Sequence, residues 1–101
     1  MPCKQSLIEE YDRFYLHNPR IWIDDSRNKF AFSALSGYLK QAPASVLDVG
    51  CGNGHTIKYF SERWQDTRFT GLDLSPVAIK IAKKLNGMNI FSEFCYLLEA
   101  A

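Results

Sequence analysis

The stretch VLDVGCGNGHTIKYF, residues 46–60, decides the fold. A short apolar run carries the acid Asp48, glycines follow at 50, 52 and 54, and an amphipathic segment begins at once. An apolar run without alternation has the texture of a strand buried on both faces of a parallel sheet. Glycines remove Cβ atoms where a backbone bends sharply and lies close to a ligand. The helix predicted from Ile57, Phe60, Ser61 and Trp64 points its unpaired N–H groups and positive dipole end back at this loop. Asp48 adds a fixed negative charge, so the turn suits a ligand carrying both an amine and a carboxylate.

Downstream, RFTGLDLS at 68–75 reads as a second strand. Ser75-Pro76 opens another helix, with serine as N-cap and proline at the first helical position, where a missing N–H does no harm. Val77, Ile81, Ala82 and Leu85 mark that helix's buried side, and Asn86-Gly87 its end. Strand, helix, strand and helix predict a βαβα unit with a right-handed crossover. MNIFSEF at 88–94 alternates Ile90, Ser92 and Phe94 as a third strand would, while CYLLEAA beyond it fits helix and strand equally. Asp73 follows Gly50 by 23 residues and ends the second strand. An acid there accepts hydrogen bonds from both hydroxyls of a ribose. Leu74 beside it offers an apolar face for an adenine.

Upstream, Leu7, Ile8, Tyr11, Phe14 and Tyr15 recur at helical spacing over residues 5–17, and Asn18-Pro19 stops that helix. After the short run IWIDD, Asp25 or Ser26 caps a second helix. Its apolar residues Phe30, Ala34, Leu35, Tyr38 and Leu39 predict its buried stripe, and Gln41-Ala42-Pro43 ends it.

A chain of 101 residues fits one domain. Hydrophobic residues at 47% and charged residues at 23% exclude disordered, collagen-like and membrane classes. Twelve basic and eleven acidic residues, with no basic stripe, give no nucleic-acid signature. Lys80, Lys83 and Lys84 read as the solvated face of a helix. Cys3, Cys51 and Cys95 form no CxxC pair, and no run reaches the ~18 apolar residues of a membrane span. The expectation is a soluble, cytoplasmic protein. The Asp24-Asp25 pair reads as helix capping and no metal site is expected; Cys51 reads as a small residue filling a tight loop and His55 as a solvated first-turn residue. Tyr11 and Tyr15 either pack at helical spacing or cover a ligand.

The glycine spacing separates related loops. Nicotinamide and flavin enzymes use G-x-G-x-x-G, whereas here His55 stands where the third glycine belongs, and no Gly-Lys-Ser/Thr follows as in a Walker loop. VLDVGCGNG followed by FTGLDLSP resembles the first two motifs of the class I S-adenosylmethionine-dependent methyltransferases, over roughly residues 44–88. The resemblance implies an α/β, Rossmann-like parallel sheet with flanking helices, truncated after the second or third strand. It implies a helical cap over residues 1–43, a partial cofactor-binding domain over 44–101, and S-adenosyl-L-methionine as cofactor. Asp48, Gly50, Cys51, Gly52 and Gly54 would serve the methionine part, Asp73 the ribose and Leu74 the adenine. Glu93 and Glu99 are candidates for the family's acid near the adenine amino group.

In that family the substrate and catalytic residues lie largely after the fourth strand, so no catalytic residue and no methyl acceptor is assigned. The family's first strand is central in its sheet, which leaves this chain an open strand edge. The isolated chain is therefore expected to be marginally stable or to associate with itself through that edge, and to lack methyl transfer by itself. The alternatives are a non-catalytic binding or interaction module and, disfavoured by His55, a nicotinamide-dependent oxidoreductase.

Overall fold

The computed structural model describes residues 5–21, 25–87 and 90–93. Its elements are α1 (Gln5–His17), α2 (Ser26–Tyr38), β1 (Ser45–Val49), α3 (His55–Arg63), β2 (Arg68–Asp73), α4 (Pro76–Asn86) and β3 (Ile90–Glu93). The strands form one parallel sheet in the order β1-β2-β3, with Val46 opposite Phe69, Asp48 opposite Gly71 and Asp73 opposite Glu93. The third strand predicted from MNIFSEF is thus present; Phe94, CYLLEAA with Cys95 and Glu99, Cys3 and Asp24 lie outside the described residues.

The sheet is clothed on one face. Helices α3 and α4 pack on each other and on β2, and the core between them and the sheet holds Ile57, Phe60, Phe69, Ile79 and Ala82. Val46 packs against the same core. The alternate residues of β1 point the other way, and Leu47 and Val49 are 59% and 51% exposed. This corrects the expectation of a strand buried on both faces. Both crossover helices lie on the Val46 side, and none of the described elements covers the Leu47 side.

Helix α2 carries a second correction. Phe30 and Tyr38, assigned to its buried stripe, are 78% and 86% exposed, and Ala34 and Leu35 are exposed as well. The helix instead turns Asn28, Ala31 and Phe32 inward, with Leu39 just after it. Apolar residues occur on every side of α2, so its own pattern does not choose a face. The partner chooses: Phe32 lies 5.0 Å from Trp64, 5.4 Å from Phe60 and 6.2 Å from Tyr59, ring centre to ring centre, mostly edge to face. Asp25 occupies the N-cap position of α2, but its side chain makes no capping hydrogen bond.

Helix α1 ends where proline predicted, and the Asn18 side chain donates to the Phe14 carbonyl at 2.9 Å. Tyr15 is its buried residue, whereas Tyr11 and Phe14 stay largely exposed. Helix α4 begins as its sequence dictates, with Ser75 Oγ accepting from Ala78 N at 3.1 Å and Pro76 in the first turn. Ala78, Ile79 and Ala82 form its buried side, and the expected Val77, Ile81 and Leu85 are half-buried beside them. Gly87, at φ 58°, donates its N–H to Lys83 and closes the helix. Lys80, Lys83 and Lys84 are exposed. Among the described residues no helix is long and apolar enough to cross a membrane.

Candidate functional site

The loop after β1 is tied to the end of β2. Gly50 N and Cys51 N both donate to the Leu72 carbonyl, at 2.7 and 2.9 Å, and Gly54 N donates to Cys51 O at 3.1 Å. Gly50, Gly52 and Gly54 have φ of 79°, 56° and 82°, the left-handed region that favours glycine. They differ in what a Cβ would meet. At Gly50 it would meet nothing within 4 Å. At Gly52 it would lie 2.5 Å from the Tyr15 hydroxyl, and at Gly54 2.6 Å from Asn86 Nδ2 and 2.9 Å from Ala82 Cβ. The sequence suggested close approach to a ligand at all three positions. Of the three, Gly50 has open space where a Cβ would stand, whereas Gly52 is seated against α1 and Gly54 against α4.

Two carboxylates flank this loop. Asp73 Oδ2 accepts from Gly52 N at 2.9 Å, and its Oδ1 accepts from Ser75 N at 3.0 Å. Each oxygen has two acceptor directions, so each carries one N–H and retains one direction. Asp48 is half-buried; burial, then the nearby Asp73 charge, raises its carboxyl above the ordinary 3.8. Burial and the charges of Asp73 and Asp48 push the Cys51 thiol up to about 12, which fits the small-residue reading and leaves no reactive thiolate at neutral pH. His55 at the start of α3 is lowered from its ordinary 6.5, mainly by burial.

The N-terminal segment is bolted to the same loop. Asn53, 1% exposed, donates from Nδ2 to the carbonyls of Ile21 at 2.6 Å and Pro19 at 3.3 Å. Thr56 Oγ1 donates to Asn28 Oδ1 at 2.8 Å, joining α3 to α2. Asp12 Oδ1 accepts from Ser75 Oγ at 2.5 Å and from Val77 N at 3.1 Å. Asn86 Nδ2 donates to Gly54 O at 3.1 Å. A cavity of about 470 Å³ opens between the loop and the N-terminal helices. Asp48, Gly50, Cys51 and Gly52 form one wall, and Tyr15, Arg27 and His55 stand among the residues of the others.

Of the seven residues that the sequence named for the cofactor, the cavity gathers four, Asp48, Gly50, Cys51 and Gly52, and it adds Tyr15 and His55. Gly54 lies behind the loop, and Asp73 and the half-buried Leu74 lie at the end of β2, outside that wall, with Asp73 joined to it through Gly52. Tyr15 packs on Gly52, as one of its two readings expected, and also lines the cavity. Asp12 and Asn53 were not anticipated. Asp12 stands between Ile8 and Tyr15 on the face that α1 turns inward, and a lone carboxylate on an apolar face was the signal. Asn53, a polar side chain between two glycines of a tight turn, was the other. No group of three or more His, Cys, Asp or Glu among the described residues is placed to hold a metal ion.

Residues 46–95 match the protein family described as a methyltransferase domain. The malonyl-[acyl-carrier protein] O-methyltransferase of Acetivibrio thermocellus is 41% identical over 46 residues, 45% of this chain and 16% of that protein. The trans-aconitate 2-methyltransferase of Methylobacterium radiotolerans is 31% identical over 68 residues, 65% of this chain and 26% of that protein. Among solved structures, the plantazolicin methyltransferase BpumL, in complex with a pentazolic desmethylPZN analogue and SAH, superposes with a TM-score of 0.57 at 27% identity. That superposition covers 88% of this chain and 42% of BpumL. The chain thus spans about a quarter or less of these two curated relatives and under half of the solved structure.

Proposed function

We propose that this chain, whose residues 46–95 match the methyltransferase-domain family, is the cofactor-binding part of an S-adenosylmethionine-dependent enzyme that methylates an acceptor nucleophile. One observation carries the proposal: the carboxylate of Asp73 is fixed by two backbone N–H groups, Gly52 and Ser75, and keeps one acceptor direction on each oxygen. Two parallel acceptors suit a vicinal diol such as a ribose. Gly50, the loop glycine with open space beside it, gives a ligand access to bare backbone. The cofactor, when bound, supplies a methyl group activated on a sulfonium.

The chain's own residues bind and orient. Asp73 would receive the ribose hydroxyls and half-buried Leu74 would offer the adenine an apolar contact. Asp48 receives the ammonium of the methionine part, and a cation there also relieves its repulsion from Asp73. Gly50, Cys51 and Gly52 form the floor, and Gly54 contributes by letting the loop settle on α4. Residues 1–43 act as a cap and 44–101 as the cofactor-binding part, joined at Asn53. No residue of the chain is assigned as a catalytic base.

Two finer points belong to the same proposal. The buried free thiol of Cys51 suits a reducing, cytoplasmic compartment. The open edge of β1, with Leu47 and Val49 exposed beside it, suits association of the chain with itself.

Calorimetric titration of the chain with S-adenosylmethionine and, separately, with NAD tests the proposal. Saturable binding of the first alone is expected. Replacing Asp73 by alanine removes two charge-assisted hydrogen bonds and is expected to weaken it about a hundredfold. Binding of NAD in preference would overturn the assignment in favour of an oxidoreductase.

A further inference from the structure

We infer that Asp12 of α1 is a positioning residue of the cofactor site, acting through Ser75 on the orientation of the proposed ribose acid Asp73; the inference rests on the cofactor reading above. Asp12 and Ser75 are 63 residues apart in sequence, yet Asp12 Oδ1 accepts from both Ser75 Oγ and Val77 N. Ser75 is fully buried. Its hydroxyl has a single proton, and that proton goes to Asp12, while its oxygen accepts from Ala78 N. Its backbone N–H holds Asp73 Oδ1. Ser75 alone would cap α4; the carboxylate from α1 adds a second capping acceptor and pins the turn that carries Asp73.

The other oxygen of Asp73 depends on α1 as well. Gly52 N holds Oδ2, and Gly52 is packed under the hydroxyl of Tyr15, three residues beyond Asp12 on the same helix. Helix α1 therefore touches both supports of the Asp73 carboxylate, one by a hydrogen bond and one by packing. With α1 displaced, both supports lose their backing, and the two acceptor directions offered to a diol lose their alignment.

The test compares binding of S-adenosylhomocysteine and of its 2′-deoxyribose analogue to the 101-residue chain by calorimetry. In the unaltered chain the hydroxylated probe binds more tightly. In Asp12→Ala its affinity is expected to fall about tenfold while the deoxy probe stays within about twofold, so the preference collapses. Asp12→Asn keeps an oxygen acceptor at the same place and is expected to restore the preference. Should the alanine variant fail to fold, Asp12→Glu carries the same comparison, because it retains the charge but moves the acceptor by one methylene; its preference is expected to fall too. Equal weakening of both probes, or no change in either, would overturn the inference and leave Asp12 a helix cap. Failure of the unaltered chain to bind S-adenosylhomocysteine would instead overturn the cofactor reading itself.

Discussion

The hydroxyl of Tyr15 occupies the space that a side chain on Gly52 would need, 2.5 Å from the site of its Cβ. Gly52→Ala therefore meets two obstacles, a left-handed φ of 56° and a filled space. The expected destabilisation is about 2 kcal/mol or more. In a Tyr15→Phe background the obstructing oxygen is gone, and the same glycine substitution should cost measurably less. Urea unfolding of the four proteins gives the coupling; equal costs in both backgrounds would show that the contact with Tyr15 is irrelevant.

Gly50 and Gly54 should separate binding from folding. Gly50→Ala adds a methyl into open space at φ 79°, so its cost is the backbone strain alone, about 1 kcal/mol. It should fold and bind cofactor poorly. Gly54→Ala would drive a methyl against Ala82 and Asn86 on α4, adding an overpacking cost of about 1–3 kcal/mol. Thermal melts and cofactor titrations of the two variants check the order, which a Gly50 variant less stable than the Gly54 variant would reverse.

The carboxyl of Asp48 is raised above 3.8 in the folded chain by burial and by Asp73. A raised acid penalises the folded state at pH values above its folded pKa, and the penalty vanishes below the unfolded value. Asp48→Asn should thus stabilise the ligand-free chain at pH 7, and the gain should fade as the pH is brought down through 3.8. Denaturant midpoints at a series of pH values measure this. A gain independent of pH would mean that packing rather than charge is responsible.

Cys51, with its thiol pushed up to about 12 and its side chain buried, should resist alkylation. At pH 8, mass-spectrometric mapping of iodoacetamide modification should find Cys51 at least about a hundredfold slower in the folded chain than in urea. Rates that match would place the loop in the open.

The exposed Leu47 predicts concentration-dependent association. Sedimentation velocity should show an apparent mass that rises with concentration, and Leu47→Lys should suppress the rise while changing stability by less than about 0.5 kcal/mol. A monomer at all concentrations would count against association through β1.

Much of this was legible from residues 46–87, because each local signal there agrees with the others. Ser75-Pro76 fixes the start of α4, Asn86-Gly87 its end, and the glycine spacing the loop. The signal failed where the deciding partner is remote. Phe30 and Phe32 are equally apolar, and only the rings of Tyr59, Phe60 and Trp64 determine which one turns inward. The burial of β1 failed for a related reason: Leu47 has the composition of a two-faced strand, but both crossover helices lie behind Val46. In the site, three glycines at alternate positions suggested one shared purpose, whereas the atoms behind Gly52 and Gly54 belong to Tyr15, Ala82 and Asn86. Those neighbours come from helices whose docking no local pattern encodes.

Among the described residues, the hydrogen bonds that support the loop run from Asp12 to Asn86. On a ribosome, which delivers a chain from its N-terminus, these supports of the glycine turn all emerge before β3 does. The pocket floor can consequently be in place while later residues are still being synthesised, so a cofactor present at that moment could act as an early folding ligand.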